Sequence, residues 1–187
     1  QQGLLDGQQL QGTESPDGRY ALFWIHPVYD GEYATTQTAF VIGSTDRQHL
    51  YGQLDASTAN ITVDEFIERV FTYQWSPEVR YLATHNPTAK HSRMSLYDLR
   101  HELADLNSQA NRLVVPKLTD IVQQRLGISS DELVSSGQEP VAWLGANILH
   151  VRVRLKTPEK LIATDIHIRI TDTNVVEIVE PYAIGTK

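Results

Sequence analysis

The fold of this chain is indicated by the stretch SPDGRYALF at residues 15–23, because a close variant, WSPEVRYLA, recurs at residues 75–83. In both copies a Pro-containing turn is followed by Arg-Tyr and then by apolar residues typical of a strand. A fainter third copy begins at Trp143, where a turn at residues 145–147 leads into another apolar segment. A recurring strand–turn–strand phrase is typical of a fold in which one supersecondary unit is stacked several times.

The SPDGR turn resembles the Ser-Pro-Asp-Gly-Lys/Arg turn of TolB-type and WD40-like β-propeller repeats, in which the Asp-Gly tip joins the second and third strands of a blade. The second copy is similar to the same junction, with Glu78 and Val79 in place of Asp-Gly, and residues 94–99 resemble the outer strand of a blade. The resemblance implies an incomplete, propeller-like stack of antiparallel sheets with about three units, whereas propellers have about 4–8 blades. The alternatives are an unrelated α+β sheet protein that reuses this turn, and two chains that join their units into one ring.

We therefore expect a single, mainly-β domain with helical insertions (α+β) over residues 1–187. A capping box at Thr62 predicts one helix, and Pro116 and Gly127 stand where a second helix would begin and end. The predicted segments are a loose N-terminal segment (1–14), a first β unit (15–61), a helix (62–70), a second β unit (71–99), a helical insertion (100–138) and a third β unit (139–187).

Composition excludes several classes of protein. A formal net charge of −7 argues against a nucleic-acid-binding protein, because affinity for phosphates depends on clustered Lys and Arg. The sequence contains no Cys, which excludes disulfides, thiolate nucleophiles and Cys-based metal sites within it. No apolar run reaches the roughly 18–20 residues that cross a bilayer, so we expect no membrane span. The absence of Cys, the high content of Gln, Thr and Asn and the propeller-like turns favour a periplasmic or secreted protein. A start at Gln1 rather than Met fits a cleaved secretory signal, and it fits a cloning boundary or a tag remnant equally well.

Motifs for catalysis or cofactor binding are absent from the sequence. It has no Gly-x-Ser-x-Gly elbow, no Gly-x-Gly-x-x-Gly turn and no P-loop, so we predict no cofactor. His85 and His91 lie in a polar loop without metal-ligand spacing, so we predict no metal site either. These patterns favour a non-enzymatic binding or assembly module for a protein or peptide partner. The alternative is a hydrolase of sugars or peptides whose acidic residues come from separate strands.

A stripe of basic residues is the candidate binding surface, because basic and apolar side chains alternate along two of the last strands. The candidate residues are His150, Arg152, Arg154, His167 and Arg169. If the two strands pair, these side chains share one sheet face and fit an acidic partner; a homodimer is a further expected assembly. The alternative is a solvated face on which Glu177 and Glu180 form cross-strand ion pairs, each worth about 0.2–1 kcal/mol.

Overall fold

The structure, a computed structural model, describes residues 7–25, 39–54, 72–86, 90–103 and 111–179. Within these residues twelve strands form three separate sheets, which confirms the predicted mainly-β fold. None of the helices in the described part of the chain is long and apolar enough to cross a membrane.

The first sheet, sheet A, is antiparallel and follows the chain order β1-β2-β3-β4. Its strands are β1 (Gly7–Gln9), β2 (Tyr20–Ile25), β3 (Ala39–Ser44) and β4 (Leu50–Gln53). The continuous apolar sequence of β2 predicts a strand covered on both faces, and both of its faces are indeed packed in hydrophobic clusters. β1 lies within the segment that the sequence suggests is loose.

The second sheet, sheet B, has the order β5-β6-β8 and is antiparallel. Its strands are β5 (Thr72–Trp75), β6 (Tyr81–His85) and β8 (Met94–Asp98). Every residue of β6 and of β8 is buried. Along β6, Tyr81 and Ala83 join the core shared with the third sheet, whereas Leu82 joins the core shared with sheet A. Sheet B therefore lies between the other two sheets.

The third sheet, sheet C, has the order β12-β11-β10-β9-β7. Its strands are β7 (His91–Ser92), β9 (Ser135–Trp143), β10 (Ile148–Lys156), β11 (Leu161–Ile170) and β12 (Val176–Val179). β7 pairs with β9 in parallel, and the other neighbours are antiparallel. Strand β9 begins at Ser135 rather than at residue 139, and β7 comes from the predicted second unit.

One helix, α1 (Leu118–Leu126), packs Leu118 and Val122 into the core beneath sheet C. As predicted, it ends at Gly127, whose φ of 65° is the left-handed conformation that glycine adopts readily. A 3-10 helix, Ser130–Glu132, follows, and a capping box between Ser129 and Glu132 stabilises its N-terminus. The helix predicted over residues 62–70 lies outside the described residues.

The two copies of the Ser-Pro turn have the same local structure. Ser15 Oγ accepts a hydrogen bond from the N–H of Tyr20, and Ser76 Oγ accepts the equivalent bond from Tyr81. The tip residue has positive φ in both turns, 71° at Gly18 and 53° at Val79. A β-branched residue is strained in that conformation, and burial of the Val79 side chain in the core holds it there.

The propeller-like architecture that the turn resemblance implies is wrong. The three sheets contain four, three and five strands, none of them closes into a ring, and sheet C includes a parallel pair. The physical reason is that the Ser-Pro turn specifies how two adjacent strands reverse direction, whereas the arrangement of whole sheets depends on which faces are apolar. One argument for a homodimer is that two chains could join their units into one propeller ring. Without a propeller, that argument no longer applies.

Candidate functional site

The predicted basic residues do lie on one face of sheet C. Along β10, Leu149, Val151, Val153 and Leu155 are buried and the polar residues between them point away from the core, as the alternation predicts. Strands β10 and β11 pair, with His150 opposite His167 and Ile148 opposite Arg169. We call this outer surface the charged face; its residues are Glu139, His150, Arg152, Arg154, Lys156, Asp165, His167, Arg169 and Glu177.

The centre of the charged face is a cluster around Asp165. Arg152 Nε donates a hydrogen bond of 2.9 Å to Asp165 Oδ1, and His150 Nε2 lies 3.2 Å from the same oxygen without hydrogen-bond geometry. The hydrogen bond from Arg152 lowers the pKa of the Asp165 carboxyl group. The imidazole of His167 meets that of His150 edge-on, with ring centroids 5.4 Å apart.

The other arginines of the charged face also have carboxylate partners. Arg154 Nη2 lies 3.2 Å from Glu139 Oε2, and Arg169 Nη2 donates a 2.8 Å hydrogen bond to Glu177 Oε2. Glu177 is one of the two acids expected from the sequence; Glu180 lies outside the described residues. The structure therefore brings the basic residues together on the charged face, where neighbouring carboxylates partly neutralise them.

Sequence reasoning missed Asp165 and Glu139 as counter-ions. Asp165 lies two residues before His167 in the same alternating pattern, so extending the predicted strand backwards would have placed it on this face. Glu139 precedes Pro140 and reads as part of a turn. In the structure, Glu139 and Pro140 lie within β9, opposite Arg152 and Val151.

A buried polar contact joins sheet B to the edge of sheet C. His85 at the end of β6 is 6% exposed, and its Nε2 lies 2.9 Å from Ser92 Oγ in β7. Among the described residues its Nδ1 has no hydrogen-bond partner. Burial lowers the pKa of His85, Glu139 opposes this shift and Arg154 adds to it. His85 is therefore a neutral imidazole at neutral pH.

The approach of Ser92 to β9 depends on the absence of a side chain at Gly137. A Cβ atom at Gly137 would lie 2.8 Å from Ser92 Oγ and 3.8 Å from His85 Nε2. Contacts shorter than about 3.0 Å are not tolerated by real side chains, so Ser92 would have to move. Glycine at this position therefore permits the hydrogen bond between sheets B and C.

A cavity of about 320 Å³, which we call the His91 pocket, opens beside this contact. One wall follows β7 and contains His91, Ser92 and Arg93. A second wall is the first half of α1, with Thr119, Asp120 and Gln123. Ser130, Leu133 and Ser136 complete the lining.

The two loop histidines of the sequence lie in different environments. His85 is buried against Ser92, whereas His91 is exposed and its Nδ1 lies 2.9 Å from Ser136 Oγ. In the part of the chain that the structure describes, no group of three His, Cys, Asp or Glu side chains is placed to hold a metal ion. Each imidazole is placed for a hydrogen bond to a serine hydroxyl group.

Comparison with known proteins adds no relative. No family model matches the chain, and neither a curated protein nor a solved structure matches it.

Proposed function

We propose that this chain is a non-enzymatic binding module for a protein or peptide partner, and that acidic side chains of the partner dock on the charged face. The observation on which the proposal rests is the exposure of three arginines along paired strands. The side chains of Arg152, Arg154 and Arg169 are 38%, 51% and 53% exposed, on the side of sheet C opposite the core.

The internal ion pairs leave these arginines available to a partner. Exposed ion pairs contribute only about 0–1 kcal/mol each, so adding or exchanging a carboxylate costs little. A guanidinium group has several donors in a planar fork and can bind a second carboxylate beside the first. Lys156 extends the same face and is exposed.

The rigidity of the sheet supports recognition. Residues of β10 are paired with β9 on one side and with β11 on the other, over almost their whole length. Groups on regular, paired strands are held in fixed relative positions, which lowers the entropy lost on binding.

The net charge of the chain makes binding of an acidic ligand a specific sign of a local cationic site. Because the chain carries a formal net charge of −7, an acidic ligand is repelled by the molecule as a whole, and any binding must come from a local cluster of cations. Local attraction between exposed charges is screened over about 8–10 Å at physiological salt, so binding must weaken as salt is added.

The experiment is a titration of a fluorescein-labelled oligoglutamate peptide, followed by fluorescence anisotropy at low and at physiological ionic strength. The double variant Arg152→Gln/Arg154→Gln should weaken binding by about two- to thirtyfold, since each of the two lost contacts contributes about 0.2–1 kcal/mol. Arg19→Gln is the matched control, because Arg19 is also exposed and also paired with an Asp, Asp17, but lies on the turn of sheet A.

Two results would refute the proposal. One is no binding of the peptide to the wild-type protein at low ionic strength. The other is an equal loss of binding in the control variant, which would show that attraction is not specific to the charged face.

The hydrolase alternative requires two carboxylates buried together in a cleft. Among the described residues Asp98 is the buried carboxylate, and it accepts hydrogen bonds from Arg100 and from Asn174 of the β11–β12 turn. This group links sheets B and C, and the other acid that interacts with the same arginine, Asp172, is exposed, so the described residues hold no pair of buried carboxylates here. The described residues therefore do not support the hydrolase alternative.

Export to the periplasm or the medium and formation of a homodimer stay predictions. Fractionation of cells that produce the full-length protein tests the first. Light scattering on a sizing column over a dilution series tests the second.

A further inference from the structure

We propose that the His91 pocket is a second binding site, distinct from the charged face, and that it takes a small α-amino acid as a zwitterion. The inference rests on the charges of two walls: a cationic wall along β7 and an anionic residue on α1. It does not depend on the function proposed for the charged face.

The β7 wall supplies donors for a carboxylate. Arg93 is exposed, and no carboxylate among the described residues lies within ion-pair distance of its guanidinium group. When the Ser136 hydroxyl donates to His91 Nδ1, the proton of the neutral imidazole resides on Nε2, which can then donate to a ligand. A guanidinium group binds a carboxylate with two parallel hydrogen bonds, which fixes the orientation of the ligand.

The α1 wall supplies an acceptor for an ammonium group. Asp120 lines the same pocket, and its side chain is 63% exposed. Lys117 Nζ lies 3.9 Å from Asp120 Oδ2, and Thr119 Oγ1 lies 3.5 Å from Asp120 Oδ1. Both distances are at the outer limit of such contacts, so the carboxylate is only weakly engaged. A purely anionic ligand would meet this carboxylate as a repulsive neighbour, whereas a zwitterion satisfies both walls.

The volume and lining limit the size and the polarity of the ligand. A cavity of about 320 Å³ is at the low end of the roughly 300–1,000 Å³ of small-molecule sites. Apart from Leu133, the residues that line the pocket are polar or charged. A small or hydroxylated side chain on the amino acid fits this lining better than an aromatic one.

The test is calorimetric titration of the wild-type protein with glycine and serine and with two blocked derivatives. N-acetylglycine has only the carboxylate and also represents a peptide C-terminus, and glycinamide has only the ammonium group. Glycine or serine should bind at millimolar concentration, and each blocked derivative should bind at least about tenfold more weakly, since a hydrogen bond to a charged group accounts for that factor or more.

Two variants assign the groups. Arg93→Gln should remove the preference for glycine over glycinamide, and Asp120→Asn should remove the preference for glycine over N-acetylglycine. Both residues are exposed, so neither change should unfold the protein, and Arg19→Gln is again the control.

The proposal is overturned if neither glycine nor serine binds at millimolar concentration, or if N-acetylglycine binds as well as glycine. The latter result would assign the pocket to a peptide C-terminus or another simple carboxylate. Unchanged binding in Arg93→Gln would also overturn it. Loss of oligoglutamate binding in the charged-face variants, with glycine binding intact, would separate the two sites.

Discussion

Replacing Gly137 by Ala tests whether the close approach of Ser92 and His85 holds sheets B and C together. The new Cβ would lie 2.8 Å from Ser92 Oγ, so Ser92 must move and its hydrogen bond to His85 is lost. Overpacking a well-packed site costs about 1–3 kcal/mol. Leaving a buried imidazole nitrogen unpaired costs about 1–3 kcal/mol more. We expect Gly137→Ala to lower the free energy of unfolding by about 2–6 kcal/mol, the sum of these two costs.

The assay is urea denaturation followed by tryptophan fluorescence, with Gly145→Ala as the matched control. A Cβ at Gly145 has no atom within 4 Å, so that change should be close to neutral. Ser92→Ala alone should cost about 1–3 kcal/mol. In that background Gly137→Ala should cost at least about 1 kcal/mol less than in the wild type, because Oγ and its hydrogen bond are already absent. A change of less than about 0.5 kcal/mol for Gly137→Ala, or strict additivity in the double variant, would refute the reasoning.

Three further predictions concern the turns and the buried ionisable groups. Gly18→Ala should lower the free energy of unfolding by about 1–2 kcal/mol in the same assay, because φ at Gly18 is 71°, a conformation that is unfavourable for any L-residue with a Cβ. Burial lowers the pKa of His85 from its ordinary value of 6.5, so between the two pKa values the unfolded chain binds more protons than the folded chain. The free energy of unfolding should therefore decrease as pH falls from about 6.5 to the lowered pKa. In His85→Gln, the free energy of unfolding should depend less on pH over this range. At Asp98, burial alone would raise the pKa of the carboxyl group, but hydrogen bonds from Arg100 and Asn174 outweigh burial and lower that pKa. The ionised carboxylate should therefore stabilise the fold above pH 3.8, and this contribution should be lost as pH falls through the lowered pKa. Urea titrations of Asp98→Asn at several pH values should not show this loss.

Much of the local structure follows from the sequence because its signals are local. The apolar sequence of β2 and the glycine at the end of α1 each depend on a few neighbouring residues. The arrangement of the sheets could not be predicted in this way. The pairing of β7 with β9 joins His91 to Ser136, residues far apart in sequence, and no local pattern marks it.

For the charged face, the sequence predicts where the basic side chains lie but not which carboxylates stand opposite them. Period-two alternation places His150, Arg152 and Arg154 on one face, and the structure agrees. The charge of that face depends on which residues stand opposite, and Glu139 and Asp165 are set by the register of β9 and β11. The His91 pocket combines β7, α1 and the 3-10 helix, so it emerges only from the tertiary structure.

The most direct test of the central claim is an NMR titration of the isotope-labelled protein with oligoglutamate. We predict that the amide signals that shift will cluster on β10 and β11, around Arg152 and Arg154, and that added salt will reverse the shifts. Shifts centred on sheet A, or no shifts at low ionic strength, would contradict the account.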